Sequence, residues 1–390
     1  MLFSPSHHEP LTDRGWDETW VRGRIEQIAA EAEAAVRPDG TWPEHPADHE
    51  DGMEMPRTVY MGAAGVAWGL HVLGHPCAHL VTGLDDAYRA RPDWPGAAAS
   101  YWAGEAGVLL MMHVAGGRDD VLDRLHACIV ENAGDPSNEL LHGAPGTMIV
   151  AAELHRRTGE ERWADAWRLA ADQLWRRWAR HEECGCDLWT QVLSGREAVY
   201  IGAGHGFAGC VTALLRGAGL LDGDRAAELD RRAVATARAT AVREAGRANW
   251  PPLPGSLERN DRIRLQWCHG APGMVASLAG LAPGDERFGG LLAEGAELVW
   301  DAGPVAGGAG LCHGTAGNGL AFLAMYGRSG DERWLERARG FAVHALEQAE
   351  RERDRHGVGR FSLWTGDIGV AVMARQCIDA RAGVPTLDWV

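Results

Sequence analysis

Apolar residues along this chain fall into two alternating kinds of segment. The first is a short, nearly unbroken run of small and aliphatic residues that opens with Gly-x-x-Gly. Copies begin at Gly62, Gly104, Gly143, Gly206, Gly270, Gly314 and Gly366, and the runs behind them include Val66-Ala67-Trp68, Cys210-Val211-Thr212-Ala213-Leu214 and Asn318-Gly319-Leu320-Ala321-Phe322. Isolated Gly-x-x-Gly pairs mean little among 51 glycines, but seven copies that each open an apolar run define a repeat. The second kind of segment is amphipathic. Trp163, Trp167, Ala170, Ala171, Leu174 and Trp178 recur at helical spacing with Arg and Asp between them, and Trp334-Leu335 leads on to Ala342, Leu346 and Ala349 in the same way. Related phrases introduce such segments: Thr158-Gly159-Glu160-Glu161-Arg162-Trp163, Pro283-Gly284-Asp285-Glu286-Arg287-Phe288 and Ser329-Gly330-Asp331-Glu332-Arg333-Trp334. In each, Gly ends the preceding helix, the acids favour the next N-terminus and the aromatic anchors the buried face.

Each repeat therefore predicts an apolar inner helix, a short turn and an amphipathic outer helix. Seven pairs give an all-α protein, an α/α toroid (double barrel) of seven inner and seven outer helices, with the Gly-x-x-Gly turns at one mouth. An open α-solenoid is the runner-up architecture. Residues 1–390 are expected to form one domain, with 1–55 a partly irregular N-terminal region. One short strand is expected at Arg360-Phe361-Ser362-Leu363-Trp364. The intervals Gly143–Gly206 and Gly206–Gly270 are long; they hold Cys184-Gly185-Cys186 and Asn249-Trp250-Pro251-Pro252-Leu253-Pro254-Gly255, which read as loops over the mouth.

Composition narrows the function classes. With 390 residues, 46% of them hydrophobic, the chain has material for a large core. A net charge of −16 argues against nucleic acid and anionic membranes as partners. All 38 basic residues are Arg, which excludes Schiff-base chemistry on lysine. The eight Cys are scattered, unlike a secreted disulfide framework. Met1-Leu2-Phe3-Ser4-Pro5-Ser6-His7-His8 is not a signal peptide, and no apolar run is long enough to span a bilayer. The expectation is a cytoplasmic location, where free thiols can serve as metal ligands.

The repeats differ at the residue before each Gly-x-x-Gly: Met61, Ala103, His142, His205, His269, His313 and Thr365. Two of the four His follow a Cys, in Trp267-Cys268-His269-Gly270-Ala271-Pro272-Gly273 and Leu311-Cys312-His313-Gly314-Thr315-Ala316-Gly317. One Cys-His-Gly would be chance. Two in aligned repeats are brought to one level of a toroid. Two thiolates and one imidazole balance Zn²⁺ and leave a coordination position open, as in catalytic rather than structural zinc sites. Cys268, Cys312 and His313 are the candidate ligands; on spacing alone His269 and His205 compete for the third place. Cys77, Cys128, Cys210 and Cys377 read as small core residues. Cys184 and Cys186 read as a metal clip, a redox pair or incidental thiols, the last favoured. His7, His8, His45 and His49 read as solvated.

Leu265-Gln266-Trp267-Cys268-His269-Gly270-Ala271-Pro272-Gly273, Gly310-Leu311-Cys312-His313-Gly314-Thr315-Ala316-Gly317-Asn318 and the weaker Gly202-Ala203-Gly204-His205-Gly206-Phe207-Ala208-Gly209 resemble the lanthionine synthetase C-like family, over essentially the whole chain. The resemblance implies a double α-toroid, in agreement with the repeat count. It implies zinc held by Cys268, Cys312 and His313, and addition of a cysteine thiol to dehydroalanine or dehydrobutyrine to give a thioether. It places the family's active-site His on His205, its active-site Arg on Arg264 and a carboxylate on Glu139. Bacterial lanthipeptide cyclases of the family carry Asp where this chain has Glu139 and Tyr where it has His269. On both points the chain is similar to the eukaryotic-type branch, whose members add glutathione to dehydroamino acids in proteins. The implied partners are a peptide or protein containing a dehydroamino acid, glutathione and, for lanthipeptide synthesis, a separate dehydratase.

On that resemblance Arg264 stabilises an enolate oxygen or orients the peptide, His205 protonates the α-carbon, and Glu139 holds or tunes a cationic partner. The blander readings are a helix-start pairing for Glu139, a surface ion pair with Asp261 for Arg264 and a supporting position for His142 and His269. Two other classes remain: a non-catalytic zinc-containing binding protein of the same fold, and a carbohydrate-active α/α-toroid enzyme, suggested by 17 Trp but lacking a facing carboxylate pair at the repeat mouths.

Overall fold

A computed structural model describes residues 2–48, 56–255 and 263–388. Seven helices form the inner ring: Ala63–Leu73, Glu105–Val114, Ala144–Thr158, Phe207–Arg216, Ala271–Leu278, Thr315–Ser329 and Asp367–Ile378. Each is capped by the first Gly of a Gly-x-x-Gly phrase. The last inner helix packs beside the first, closing the ring. A closed toroid is what the repeat predicted, and the solenoid alternative falls away.

The second glycine of every phrase has one packing reason. A Cβ there would collide with the carbonyl oxygen six residues upstream: Val59 for Gly65, Tyr101 for Gly107, Leu140 for Gly146, Ala203 for Gly209, Trp267 for Gly273, Leu311 for Gly317 and Leu363 for Gly369. The chain folds back over the start of each inner helix, and only a glycine leaves room for it. Gly270 carries a second constraint, a φ of 115° that a side chain rarely adopts.

The outer ring comprises Glu18–Ala35, Leu84–Ala90, Leu122–Asn132, Glu161–Arg177, Gly223–Thr240, Glu286–Ala302 and Glu332–His356. The acidic phrases start helices as expected: Asp285 accepts from the Phe288 amide and Asp331 from the Arg333 amide. Gly159 and Gly330 end the preceding helices in the left-handed conformation, whereas the helix before Gly284 already stops at Leu278. The order of inner then outer fails at the end of the ring. No outer helix follows Asp367–Ile378 among the described residues; Glu18–Ala35, from the stretch read as partly irregular, packs against it instead.

Three two-stranded antiparallel hairpins occupy the long intervals: Ala179–His181 with Cys186–Leu188, Gln191–Leu193 with Arg196–Ala198, and Val242–Glu244 with Arg247–Asn249. The strand expected at 360–364 does not form. That segment lies in a mouth turn where Trp364 donates to the Tyr60 carbonyl and accepts from the Cys312 amide. Asn249 and Trp250 are not lid residues either. Trp250 is fully buried and donates to Ala237, while the Asn249 carboxamide accepts from the Ala271 amide at the start of an inner helix. Two of the histidines read as solvated are held. His45 is buried with its ring 4.8 Å from that of His356, and His8 bonds the Gly303 carbonyl. His7 is exposed, and His49 lies outside the described residues. Cys77, Cys128, Cys210 and Cys377 are buried, as small core residues should be.

Candidate active site at the toroid mouth

Six of the seven mouth turns are sewn together through residues two places before the capping glycine. The Tyr60 amide donates to Trp102, Trp364 to Tyr60, Cys312 to Trp364, Cys268 to Cys312 and Gly204 to Cys268, over 2.8–3.3 Å. This backbone ring puts Cys268 and Cys312 side by side. Beside it, Trp102, Trp267 and Trp364 are fully buried and pack with centroids 4.4–6.0 Å apart.

The ligand atoms of Cys268, Cys312 and His313 all lie within 4.8 Å of one another. The Cys312 sulfur is 3.6 Å from His313 Nε2. Both cysteines are buried and His313 is exposed, so the centre has a protein side and an open side. The donor set fits a single soft or borderline dication bonded at about 2.0–2.3 Å. The electrostatics agree. A hydrogen bond from Cys312 holds the Cys268 thiol well below its usual range, against burial and with help from His313 and His269. Burial and the neighbouring Cys268 push Cys312 well above it. Two buried sulfurs this close carry charge together only when a cation joins them. His269, the competing third ligand, is not in the cluster. Its ring stacks 6.2 Å from His205, and burial depresses it to about 4.

Glu139 organises the other half of the mouth. Its carboxylate is fully buried and accepts from the Leu141 amide (2.9 Å), the His142 amide (2.7 Å), His142 Nδ1 (2.9 Å) and His205 Nδ1 (3.0 Å). Burial alone would raise this acid; the hydrogen bonds and charges of His142 and His205 outweigh it and hold the carboxyl down at about 2. The same pairing raises His142 despite its burial. An ionised carboxylate only accepts, so both imidazoles carry their proton on Nδ1 and turn Nε2 away from Glu139. Tyr200 lies beside this pair, its ring centroid 6.2 Å from His205 and 5.7 Å from His269.

Arg264 is exposed, six residues before Gly270, and its guanidinium has no ion-pair partner among the described residues. Asp261, the alternative partner, lies outside them. A cavity of about 340 Å³ opens beside His142, lined by Trp94, Ser137, Val192 and Leu193 among others. Tyr60 was not anticipated. Its hydroxyl hydrogen-bonds the Cys312 sulfur, and burial pushes the phenol well above its usual range. The signal for it was present: Tyr60 holds the place before Gly62 that Cys268 and Cys312 hold before Gly270 and Gly314.

Fold and site together define a toroidal protein with a Cys₂His cluster that could hold a metal ion and a carboxylate-bridged histidine pair at one mouth. The lanthionine synthetase C-like protein profile matches residues 55–384, and the chain belongs to that family. Glutathione S-transferase LANCL1 of Danio rerio is 27% identical in an alignment of 368 positions that covers 85% of each chain. LanC-like protein GCL1 of Arabidopsis thaliana is 41% identical over 96 residues, 24% of this chain and 22% of its own. Nisin cyclase shares the fold, with a TM-score of 0.61 and 15% identity across 92% of this chain and 94% of that one. No helix among the described residues is long and apolar enough to cross a membrane.

Proposed function

We propose that this protein is a zinc-dependent enzyme that adds a cysteine thiol to a dehydroalanine or dehydrobutyrine residue of a peptide or protein, with glutathione as the thiol donor. The observation that carries the reading is the convergence of Cys268, Cys312 and His313 within 4.8 Å, on the mouth that also holds the Glu139–His205 pair. Glutathione is favoured as donor by the name of the Danio rerio relative, which matches along 85% of the chain, whereas the likeness to nisin cyclase is one of fold.

In this reading Cys268, Cys312 and His313 hold zinc, which when bound makes a substrate thiol acidic at neutral pH. The chain's own groups do the rest. A carbon–sulfur bond forms at the β-carbon of the acceptor as its double bond opens, and negative charge moves to the acceptor carbonyl oxygen. Arg264, exposed at the mouth end of its loop, stabilises that oxygen. Glu139 holds the proton on His205 Nδ1, which leaves Nε2 as the atom that takes up the proton released by the thiol and then delivers it to the α-carbon. The proton lost by the thiol is thus replaced at carbon, and the sum is simple addition. The buried Trp102–Trp267–Trp364 cluster, one residue of which precedes Cys268, keeps that side of the site apolar. The cavity beside His142 gives an acceptor side chain a place to lie.

The test is zinc content by mass spectrometry together with turnover of a dehydroalanine peptide that carries its own cysteine, with and without glutathione. One zinc per chain, retained by wild type and lost by Cys312→Ala, and a peptide heavier by one glutathione are expected. A cyclised peptide, isobaric with its precursor but without a free thiol, would move the donor to the peptide itself. Zinc bound with neither product would leave a binding protein.

A further inference from the structure

Cys184 and Cys186 belong to the first hairpin, far in sequence from the candidate metal centre. Register pairs His181 with Cys186, and Gly185 makes the tight return with a φ of 61°, its amide bonded to the His181 carbonyl at 2.9 Å. The turn draws the two sulfurs to 2.6 Å, so a bond between them asks only a small adjustment of the hairpin tip. The two thiols have unequal surroundings. Cys184 is half-exposed, with its sulfur 3.6 Å from His181 Nδ1, and the Arg180 guanidinium lies close to Gly185. Cys186 is buried; burial and the neighbouring sulfur push its thiol up to about 12. An accessible sulfur beside an imidazole and a guanidinium, next to a buried sulfur, is the arrangement of an attacking and a resolving thiol. The metal-clip alternative lacks a third ligand. Among the described residues, the cluster of three or more metal-binding side chains is Cys268, Cys312 and His313, and neither sulfur of this hairpin joins one.

We propose that Cys184 and Cys186 form a reversible dithiol–disulfide centre that exchanges with small disulfides of the oxidised-glutathione type. Cys184, as thiolate, attacks one sulfur of the small disulfide; that S–S bond breaks and a thiolate leaves, giving a mixed disulfide on Cys184. Cys186 loses its proton and its sulfur attacks Cys184, expelling the second thiolate. Two protein thiols are oxidised, one small disulfide is reduced to two thiols, and the two protein protons end on them. The centre does not depend on thiol addition at the mouth. The hairpin is anchored for the purpose by Asp187, whose carboxylate pairs with Arg232 at 2.9 Å and whose carbonyl accepts from Trp178 Nε1 and Thr236, so only the tip need adjust.

The test uses the zinc-loaded full-length protein, incubated with oxidised glutathione, blocked with an alkylating agent and cleaved after arginine. The peptide 181–196 is expected unalkylated and two hydrogens lighter than its dithiol form, returning to two alkylations after reduction. In Cys186→Ser, the same treatment should leave one glutathione on Cys184. In Cys184→Ser, Cys186 should remain unmodified by glutathione. Two alkylated cysteines after oxidation, a persistent glutathione adduct on wild-type Cys184, or a bond from either residue to another cysteine would each overturn the proposal.

Discussion

Replacing Glu139 by Gln tests the electrostatic heart of the mouth. The side chain keeps its size, but four donors now face a neutral carboxamide whose own NH₂ points at two of them. In the wild type the carboxyl is held at about 2 against a reference of 4.5. At about 1.4 kcal/mol per pH unit, that displacement corresponds to roughly 3 kcal/mol of stability. Its sign follows from the depression: the contribution is complete above pH ~4.5 and is lost as pH falls toward ~2. His142 works in the other direction. Its raised value contributes stability below pH ~6.5 that is lost as pH rises through the folded value. Wild type minus variant should therefore be greatest between about pH 4.5 and 6.5 and shrink on both sides. Equilibrium urea unfolding, followed through the Trp fluorescence at a series of pH values, measures the difference directly. Imidazole titration by NMR adds a second reading: without the carboxylate, burial of His142 is opposed only by the charge of Asp135 and its pKa should drop. A difference below about 1 kcal/mol, or one that stays flat from pH 7 to 3, would refute the account of Glu139 as an ionised acceptor shared by two imidazoles.

Three other outcomes follow from the geometry. Gly273→Ala should cost about 3 kcal/mol or more, because its Cβ meets the Trp267 carbonyl and the Ala203 side chain; Gly280→Ala, with open space around it, should cost under about 1 kcal/mol, and denaturant midpoints compare the two. Tyr60→Phe removes the hydroxyl on the Cys312 sulfur and should weaken zinc retention about tenfold in a chelator competition, with far-UV circular dichroism unchanged. Zinc removal by a chelator should lower the thermal midpoint of wild type and leave that of Cys312→Ala unaltered, since only a chain that binds the ion gains from it.

The chain itself determined everything that repeats. Seven Gly-x-x-Gly phrases counted the inner helices, and the acidic phrase marked helix starts, because close packing and capping are local demands that particular residue types satisfy. The two Cys-His-Gly phrases marked the Cys268–Cys312–His313 cluster because repeat symmetry places equivalent positions at one level. What the repeat could not state was which unequal positions would meet. Glu139 and His205 are 66 residues apart, and only ring closure makes them partners. That His313 joins the two sulfurs and His269 does not turns on side-chain direction, which the shared Cys-His-Gly phrase leaves open. The last place in the outer ring is likewise filled by Glu18–Ala35, from the other end of the chain, because an apolar inner helix must be covered by whichever amphipathic segment closure brings to it.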